Sequence, residues 1–335
     1  MALTGVSQRT IEEDEDGMRL DRWFKVHYPG LGFGKLQKLL RSGQVRVDGG
    51  RVKTASRVAS GQVVRIPPLD TATADKPIHM TSNTIRDRHD ADVLRDMVLY
   101  EDKKVYVFNK PAGLAVQGGS GINRSVDSML ESLRDKAGQK PRLCHRLDRD
   151  TSGVLVVAKT RGAAAALTKS FRKRTTDKTY WALVQGVPRT REGRISTYLV
   201  KEQTEKGDKM RVAKHGERHA DHAVSFYRVI DKNPRTVCWM ELKPHTGRTH
   251  QLRVHAQHIG HPIIGDPKYF DVQNYEIPGG IQKKLHLHAR RIRIPHPDED
   301  QPMIDVTAPL PPHMVQSWNL FAFEEADGLT DEDQY

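Results

Sequence analysis

The chain has 335 residues, room for two domains of ordinary size, and 37% hydrophobic residues, enough for a globular core. Its net charge of +12 points to a polyanionic partner. Two cysteines, Cys144 and Cys238, exclude a disulfide scaffold, and no apolar run reaches the roughly 18 residues of a membrane span, so a soluble, cytoplasmic protein is expected.

Residues 1–16 close with the run Glu12 to Asp16, all acidic, and read as a solvating tail. Residues 17–68 read as a small basic α+β module with eleven Lys/Arg against Asp21 and Asp48. Leu20, Trp23, Phe24 and His27 fall at i, i+3, i+4, i+7 and predict one helix. Leu36, Leu39 and Leu40 predict a second, stopped at Gly43, with Lys35 and Lys38 on its other side. Val45 to Val52 alternates apolar and basic residues about Asp48-Gly49, a hairpin signal, and a strand follows near Val63 to Ile66. Gly17-x-Arg19-Leu20-Asp21, Lys35-x2-Lys38-x2-Arg41-x-Gly43 and the hairpin resemble the S4 RNA-binding domain. Phe33-Gly34-Lys35 stands where that family usually begins its second helix with a Ser-Arg-Ser type sequence. The resemblance implies Arg19, Arg22, Lys35, Lys38, Arg41 and Arg46 as phosphate contacts, which would make affinity fall with salt. A basic, solvated helical hairpin is the plainer reading.

Residues 69–97, rich in Thr, Ala, Asp, Pro and Ser, read as a linker. A second domain, 98–323, opens with strands at Val98 to Tyr100 and Val105 to Phe108, followed by Asn109-Lys110-Pro111-Ala112-Gly113. Its most informative stretch is 144–159, where a polar cluster from His145 to Ser152 breaks at Gly153 into an apolar, β-branched strand. Carboxylates among arginines at the mouth of a buried strand cost desolvation energy, and a neighbouring guanidinium favours their ionised form. Asp148 and Asp150 are therefore candidate nucleophiles or bases; a solvated turn closed by an ion pair fits the charge pattern as well. A helix is expected over Arg161 to Arg172, and Tyr180 to Val184 is strand-like. Residues 324–335 carry six acids and no base and read as a second acidic tail.

Four segments of the second domain resemble the pseudouridine synthases of the RluA type. They are Asn109-Lys110-Pro111-Ala112-Gly113-Leu114, His145-Arg146-Leu147-Asp148-x2-Thr151-Ser152-Gly153, Lys178-x-Tyr180-x-Ala182-x2-Gln185-Gly186, and Thr246-Gly247-Arg248-Thr249-His250-Gln251-Leu252-Arg253 continuing to Gly265-Asp266. Their order and spacing match across about 99–296, and within the family the nearest resemblance is to the large-subunit rRNA enzymes of the C group.

The resemblance implies an α+β fold: an S4-like domain, then a catalytic domain on a mixed, mostly antiparallel sheet. It implies isomerisation of uridine to pseudouridine in structured RNA, 23S rRNA before tRNA, by a monomer. The reaction breaks N1–C1′, turns the uracil and joins C5 to the sugar; nothing is oxidised or added, so neither cofactor nor metal is needed. Asp148 would be the nucleophile or base, Arg253 the charge that keeps it ionised, and Tyr180 the face for the uracil. His145, Arg146, Arg248 and His250 would contact RNA around an extruded base, or brace the Asp148 loop. Attack at C1′, attack at C6 and a glycal route remain open. Asp150 lies outside the family's pattern and is expected to be structural.

Two other readings compete. Asp148-Arg149-Asp150-Thr151 superficially resembles the loop of Mg²⁺-dependent phosphatases with an Asp nucleophile, but such loops follow a hydrophobic strand instead of preceding one. A non-catalytic RNA-binding assembly protein is the other, against which Asp148, Tyr180 and Arg253 all stand present. Sixteen histidines, clustered near 245–261, lack a zinc-ligand pattern, and no metal site is expected.

Overall fold

The computed structural model describes residues 5–12, 15–28, 30–69, 85–119, 122, 124–135, 138–204, 207–233, 237–271 and 279–328. It divides into two compact units, Met1–Arg88 with Thr160–Gly162, and His89–Lys159 with Ala163–Tyr335.

In the first unit, β1 (Ser7–Thr10), α1 (Leu20–His27), α2 (Phe33–Arg41), β2 (Arg46–Val47) and β3 (Val63–Ile66) build a small α+β fold. The predicted apolar faces are the ones buried: Leu20, Trp23 and Phe24 of α1 pack with Leu36 and Leu40 of α2. Gly43 takes φ 69°, the left-handed conformation that ends α2 without a Cβ penalty.

Two expectations for this region are corrected. Residues 7–11 belong to the fold, not to a tail: β1 pairs antiparallel with β3 from Ser7↔Ile66 to Thr10↔Val63, and Ile11 is buried. The strand's side chains are largely exposed, so no apolar alternation announces it; backbone pairing holds it. Within the acidic run, Glu15 is an internal anchor that accepts from Trp23 Nε1 at 2.9 Å and pairs with His27. Burial would raise the Glu15 pKa; hydrogen bonds from Trp23, the Glu12 backbone and His27 overcome it and hold the carboxyl below its ordinary value. The hairpin is reduced to its turn. Asp48 and Gly49 take positive φ (48° and 75°), but β2 continues along β3 and not along residues 51–52.

The expected linker is also part helix. Its first residue, Leu69, is buried in the first unit's core, and α3 (Ile85–Asp96) occupies its end; residues 70–84 lie outside the described residues. Ala91 and Leu94 are buried, and Asp90 pairs with Arg124 at 2.6 Å. A helix with only two buried apolar side chains gives too weak a periodicity to read.

The second unit holds β4 (Val98–Glu101), β5 (Val105–Lys110), α4 (Val126–Met129), β6 (Arg142–Leu143), β7 (Ser152–Ala158), α5 (Arg161–Lys173), β8 (Asp177–Gln185), β9 (Glu192–Thr204), β10 (Gly207–Val212), β11 (Asp221–Asn233), β12 (Val237–Pro244), α6 (Gln251–His258), β13 (Leu287–Ile294), β14 (Ile304–Thr307) and α7 (Pro312–Phe321). Among the described residues eleven strands form one mixed sheet in the order β10-β9-β11-β12-β8-β13-β7-β5-β4, with β6 beside β7 and β14 beside β13. Every pairing is antiparallel except β13 with β7. All seven residues of β7 are buried, which is why its sequence is a continuous apolar run and not an alternation.

The C-terminal tail begins later than its charge suggests. Glu325–Gly328 form a 3₁₀ turn, Gly328 is buried where a Cβ would overlap the Trp181 and Trp239 rings, and Glu325 pairs with Arg290 at 2.8 Å. A buried glycine leaves no hydrophobic signal in the sequence. Residues 329–335 lie outside the described residues. Among the described residues no helix is long and apolar enough to cross a membrane.

Candidate active site

A cleft of about 580 Å³ opens where the loop between β6 and β7, the start of β8 and the N-terminus of α6 meet. Asp148 sits on that loop, and the loop is tied down from β5. Lys110, fully buried at the end of β5, donates from Nζ to the carbonyls of Pro111 (2.8 Å), Leu114 (2.9 Å) and Arg149 (2.9 Å). Three acceptors match the three hydrogens of an ammonium. Burial draws the Lys110 pKa down to about 7, and the Asp150 and Asp148 charges oppose it. Gly113 N–H also donates to the Arg149 carbonyl at 2.9 Å, so the Asn-Lys-Pro-Ala-Gly segment acts as a clasp on the Asp148 loop. At Gly153 (φ 106°) a Cβ would overlap the Ala289 carbonyl, so the close approach of β7 to β13 needs glycine there.

Asp148 Oδ2 accepts from Arg253 Nη1 at 3.1 Å. Arg253 is itself buried and gripped from behind: Nε and Nη2 donate to the two oxygens of Asp266, both at 2.7 Å. The Arg253 side chain is 3% exposed, Asp266 0% and Asp148 17%, so the pair behind is sealed and the carboxylate in front reaches the cleft. Burial works against the Arg253 charge, but hydrogen bonding and attraction from Asp266, then Asp148, raise its pKa above the ordinary value. Asp266 also accepts from the backbone N–H of Lys268 (2.9 Å) and Tyr269 (3.1 Å), which fixes its plane.

His250 lies beside this group, with Nε2 3.9 Å from Asp148 Oδ2. Its Nδ1 is 2.9 Å from Tyr269 Oη, and that oxygen accepts from Met210 N–H at 2.9 Å. Tyr269 Oη keeps its proton and a second lone pair, so it donates to Nδ1 in one tautomer and accepts from it in the other; the contact fixes the ring, with Nε2 toward Asp148, in either case. Burial lowers the His250 pKa and so favours the neutral ring, partly offset by the Asp148 charge. Tyr180, on β8, lines the same cleft; burial and then the Asp148 charge push its phenol well above the ordinary range. The arrangement is an accessible carboxylate, a sealed cation, an imidazole and an aromatic face. It can place an anion against a flat, uncharged group.

Asp148, Tyr180, Arg253, His145, Arg146, Arg248 and His250, distant in sequence, all line this one cleft. Of the two roles expected for His145, RNA contact or bracing, its contacts are those of a brace. Its Nε2 accepts from Val156 N–H at 2.8 Å, its ring stacks on Phe171 at 4.5 Å, and burial takes its pKa down to about 3. It is a neutral brace between loop and strand and offers no charge to an anion. Arg146 is exposed at the cleft, and Arg248 is held to the His222 carbonyl at 3.3 Å. Asp150 does not line the cleft.

In the first unit, Arg22, Lys35, Lys38 and Arg41 are exposed. Arg19 is drawn to Asp21 at 2.7 Å, and Arg46 is pinned to the carbonyls of Gly43 (3.0 Å) and Gly49 (3.1 Å). Sequence reasoning assigned no role to Asp266, Tyr269 or Lys110, nor to Arg172 and Arg174, which line the cleft. Asp266 and Lys110 lie inside the quoted motifs, which was the available signal; nothing marked Tyr269. Three of the histidines are absorbed by the fold: His255 bonds Ser225 (2.9 Å), His286 bonds Ser317 (2.9 Å) and His288 bonds Ser152 (2.9 Å).

The family model of the RNA pseudouridylate synthases matches residues 104–258. A protein of Haemophilus influenzae named ribosomal large subunit pseudouridine synthase C is 38% identical over 299 residues, covering 88% of each chain. Its namesake of Vibrio vulnificus is 38% identical over 302 residues, 90% of this chain and 91% of that protein. Among solved structures, human RNA pseudouridylate synthase domain containing 4 superposes with TM-score 0.59 at 30% identity, over 71% of this chain and 97% of that one.

Proposed function

This chain belongs to the RNA pseudouridylate synthase family and is an isomerase, and we propose that it converts uridines of large-subunit ribosomal RNA, with Asp148 as nucleophile or base. The substrate is that named in the titles of its relatives. The observation that carries the assignment is the Asp148 carboxylate at the cleft, 3.1 Å from a guanidinium that Asp266 already holds.

The chemistry follows from the parts. A flipped uridine lays its ring against Tyr180, where stacking contributes about 1–3 kcal/mol. Asp148 attacks or takes a proton as N1–C1′ breaks; Arg253 balances its charge without shielding its free oxygen. The uracil turns, C5 bonds C1′, and the C5 proton leaves as N1 gains one. His250 Nε2–H serves as a hydrogen-bond donor to the carboxylate or to the turning base. Arg146 and Arg248 take flanking phosphates. The basic first unit, with Arg22, Lys35, Lys38 and Arg41 outward, acts as an S4-like RNA grip that raises affinity and makes it salt-dependent.

The test is tritium release from [5-³H]uridine-labelled large-subunit RNA, with tRNA in parallel. Wild-type protein is expected to release tritium from the ribosomal RNA in the presence of EDTA, and Asp148→Asn to release none. Release from tRNA alone would overturn the substrate assignment. An active Asp148→Asn would overturn the role of that carboxylate.

A further inference from the structure

Outside the cleft, one face of the sheet carries two exposed aromatic side chains, Tyr198 and Phe226. Tyr198 is 56% exposed and Phe226 44%, whereas Phe108, Trp181 and Trp239 of the same sheet are buried. Cross-strand register puts them on one face: Tyr198 opposes His222, and Phe226 lies between Arg194 on β9 and Lys243 on β12. His222 and Phe226 are four residues apart on β11, about 13 Å, the length of roughly four stacked nucleotides.

Both rings are held in place. The Tyr198 and His222 rings lie 5.1 Å apart, and His222 Nε2 meets Ser196 Oγ at 3.1 Å. Phe226 meets the His245 ring edge-on at 6.4 Å. His245 itself lines the cleft, and Arg174, another cleft residue, bonds its Nε2 at 3.1 Å. Arg248, also at the cleft, bonds the His222 carbonyl. The exposed aromatics thus continue from the rim of the site. Charge favours a polyanion there. Arg174, Arg194, Arg228, Lys243 and Arg248 stand against Glu192, Asp221 and Glu241; Arg228 (3.2 Å) and Lys243 (3.7 Å) share Glu241 and Arg248 reaches Asp221 at 3.5 Å, which leaves a surplus of two positive charges.

We propose that this face is a stacking platform for single-stranded RNA, which receives unpaired nucleotides flanking the target uridine while that uridine occupies the cleft. The proposal rests on the function assigned above. Unpaired bases are the partner because exposed ring faces beside cations suit stacked bases with their phosphates, whereas a duplex hides its bases. Preordered rings lose little freedom on binding, so the platform adds affinity without touching the reacting atoms.

The experiment uses the full chain and fluorescein-labelled oligouridylate of twelve nucleotides, with a blunt RNA duplex of equal charge as control. Tyr198→Ala and Phe226→Ala are each expected to weaken oligouridylate binding about tenfold, with duplex binding and thermal midpoint unchanged. Tyr198→Phe is expected to bind as wild type, because the ring and not the hydroxyl stacks. Unchanged oligouridylate binding in the double variant overturns the platform, as does an equal loss on the duplex. Sedimentation of wild type and Phe226→Ala tests a second copy as occupant; a wild-type dimer dissociated by Phe226→Ala also overturns it. Tritium release by wild-type protein is scored separately, so that a failure of the isomerase assignment and a failure of the platform are told apart.

Discussion

Two carboxylates share one guanidinium in this site, and they are predicted to answer mutation in opposite ways. Arg253, Asp148 and Asp266 together carry one net negative charge. The Arg253–Asp148 contact at 3.1 Å amounts to about 5 kcal/mol of attraction at an effective dielectric of about 20. Losing Asp148, however, leaves Arg253 fully paired with Asp266 at 2.7 Å twice over. Asp148→Asn is therefore expected to change stability by no more than about 1 kcal/mol, since neutralising the second acid also relieves repulsion between carboxylates. Its activity should fall by about 10²–10⁴-fold or more. Asp266→Asn is the reverse experiment. It leaves a cation that is 3% exposed with only the cleft-side carboxylate, and breaking a buried pair costs about 3–5 kcal/mol. For a domain of this size that is a fall of about 6–20 °C in Tm, at roughly 2–4 °C per kcal/mol. Differential scanning calorimetry beside tritium release reads both quantities. If Asp148→Asn melts as early as Asp266→Asn, Asp148 holds the fold and the division of labour described here is wrong.

Three further outcomes are expected. Tyr180→Ala should lose about tenfold or more in kcat/KM through lost stacking; because burial and the Asp148 charge raise the Tyr180 pKa, the wild-type single-turnover rate should show no tyrosine ionisation near pH 10, and a fall there would contradict this. Burial lowers the pKa of His255 to about 4, of His286 to about 4 and of His288 to about 3. The unfolded chain then binds more protons between those values and its own pKa of about 6.5, so stability is full above that pH and falls below it, by about 1.4 kcal/mol per pH unit for each histidine. Urea melts at pH 7.5 and 5.5 check this, and His288→Gln, with no proton to gain, should flatten the slope. Finally, a chain begun at Gly17 should lose hydrogen-exchange protection over residues 20–66, because it discards β1, the buried Ile11 and the Glu15 acceptor of Trp23. An unfilled indole N–H alone costs about 1–3 kcal/mol; equal protection in both chains would restore the tail reading.

Elements with a strong side-chain pattern were legible in the sequence. The faces of α1 and α2, the strand Val63–Ile66, the continuous apolar run of β7 and the helix from Arg161 all follow from period and breaker residues, because burial selects side chains at a fixed spacing. The four motifs also marked the loop that bears Asp148 and the helix that bears Arg253. What the sequence could not show is held by backbone or by single distant contacts. β1 has exposed side chains and survives on its pairing with β3. Gly328 is buried precisely because it has no side chain, a fact visible only against Trp181 and Trp239. The tertiary structure alone decided that Arg253 is gripped by Asp266 and so can face Asp148 without being consumed by it, that Tyr269 holds the His250 ring beside Asp148, and that His145 is a brace. Each of these depends on direction and distance between chain segments up to 105 residues apart, and residue type and order carry no record of either.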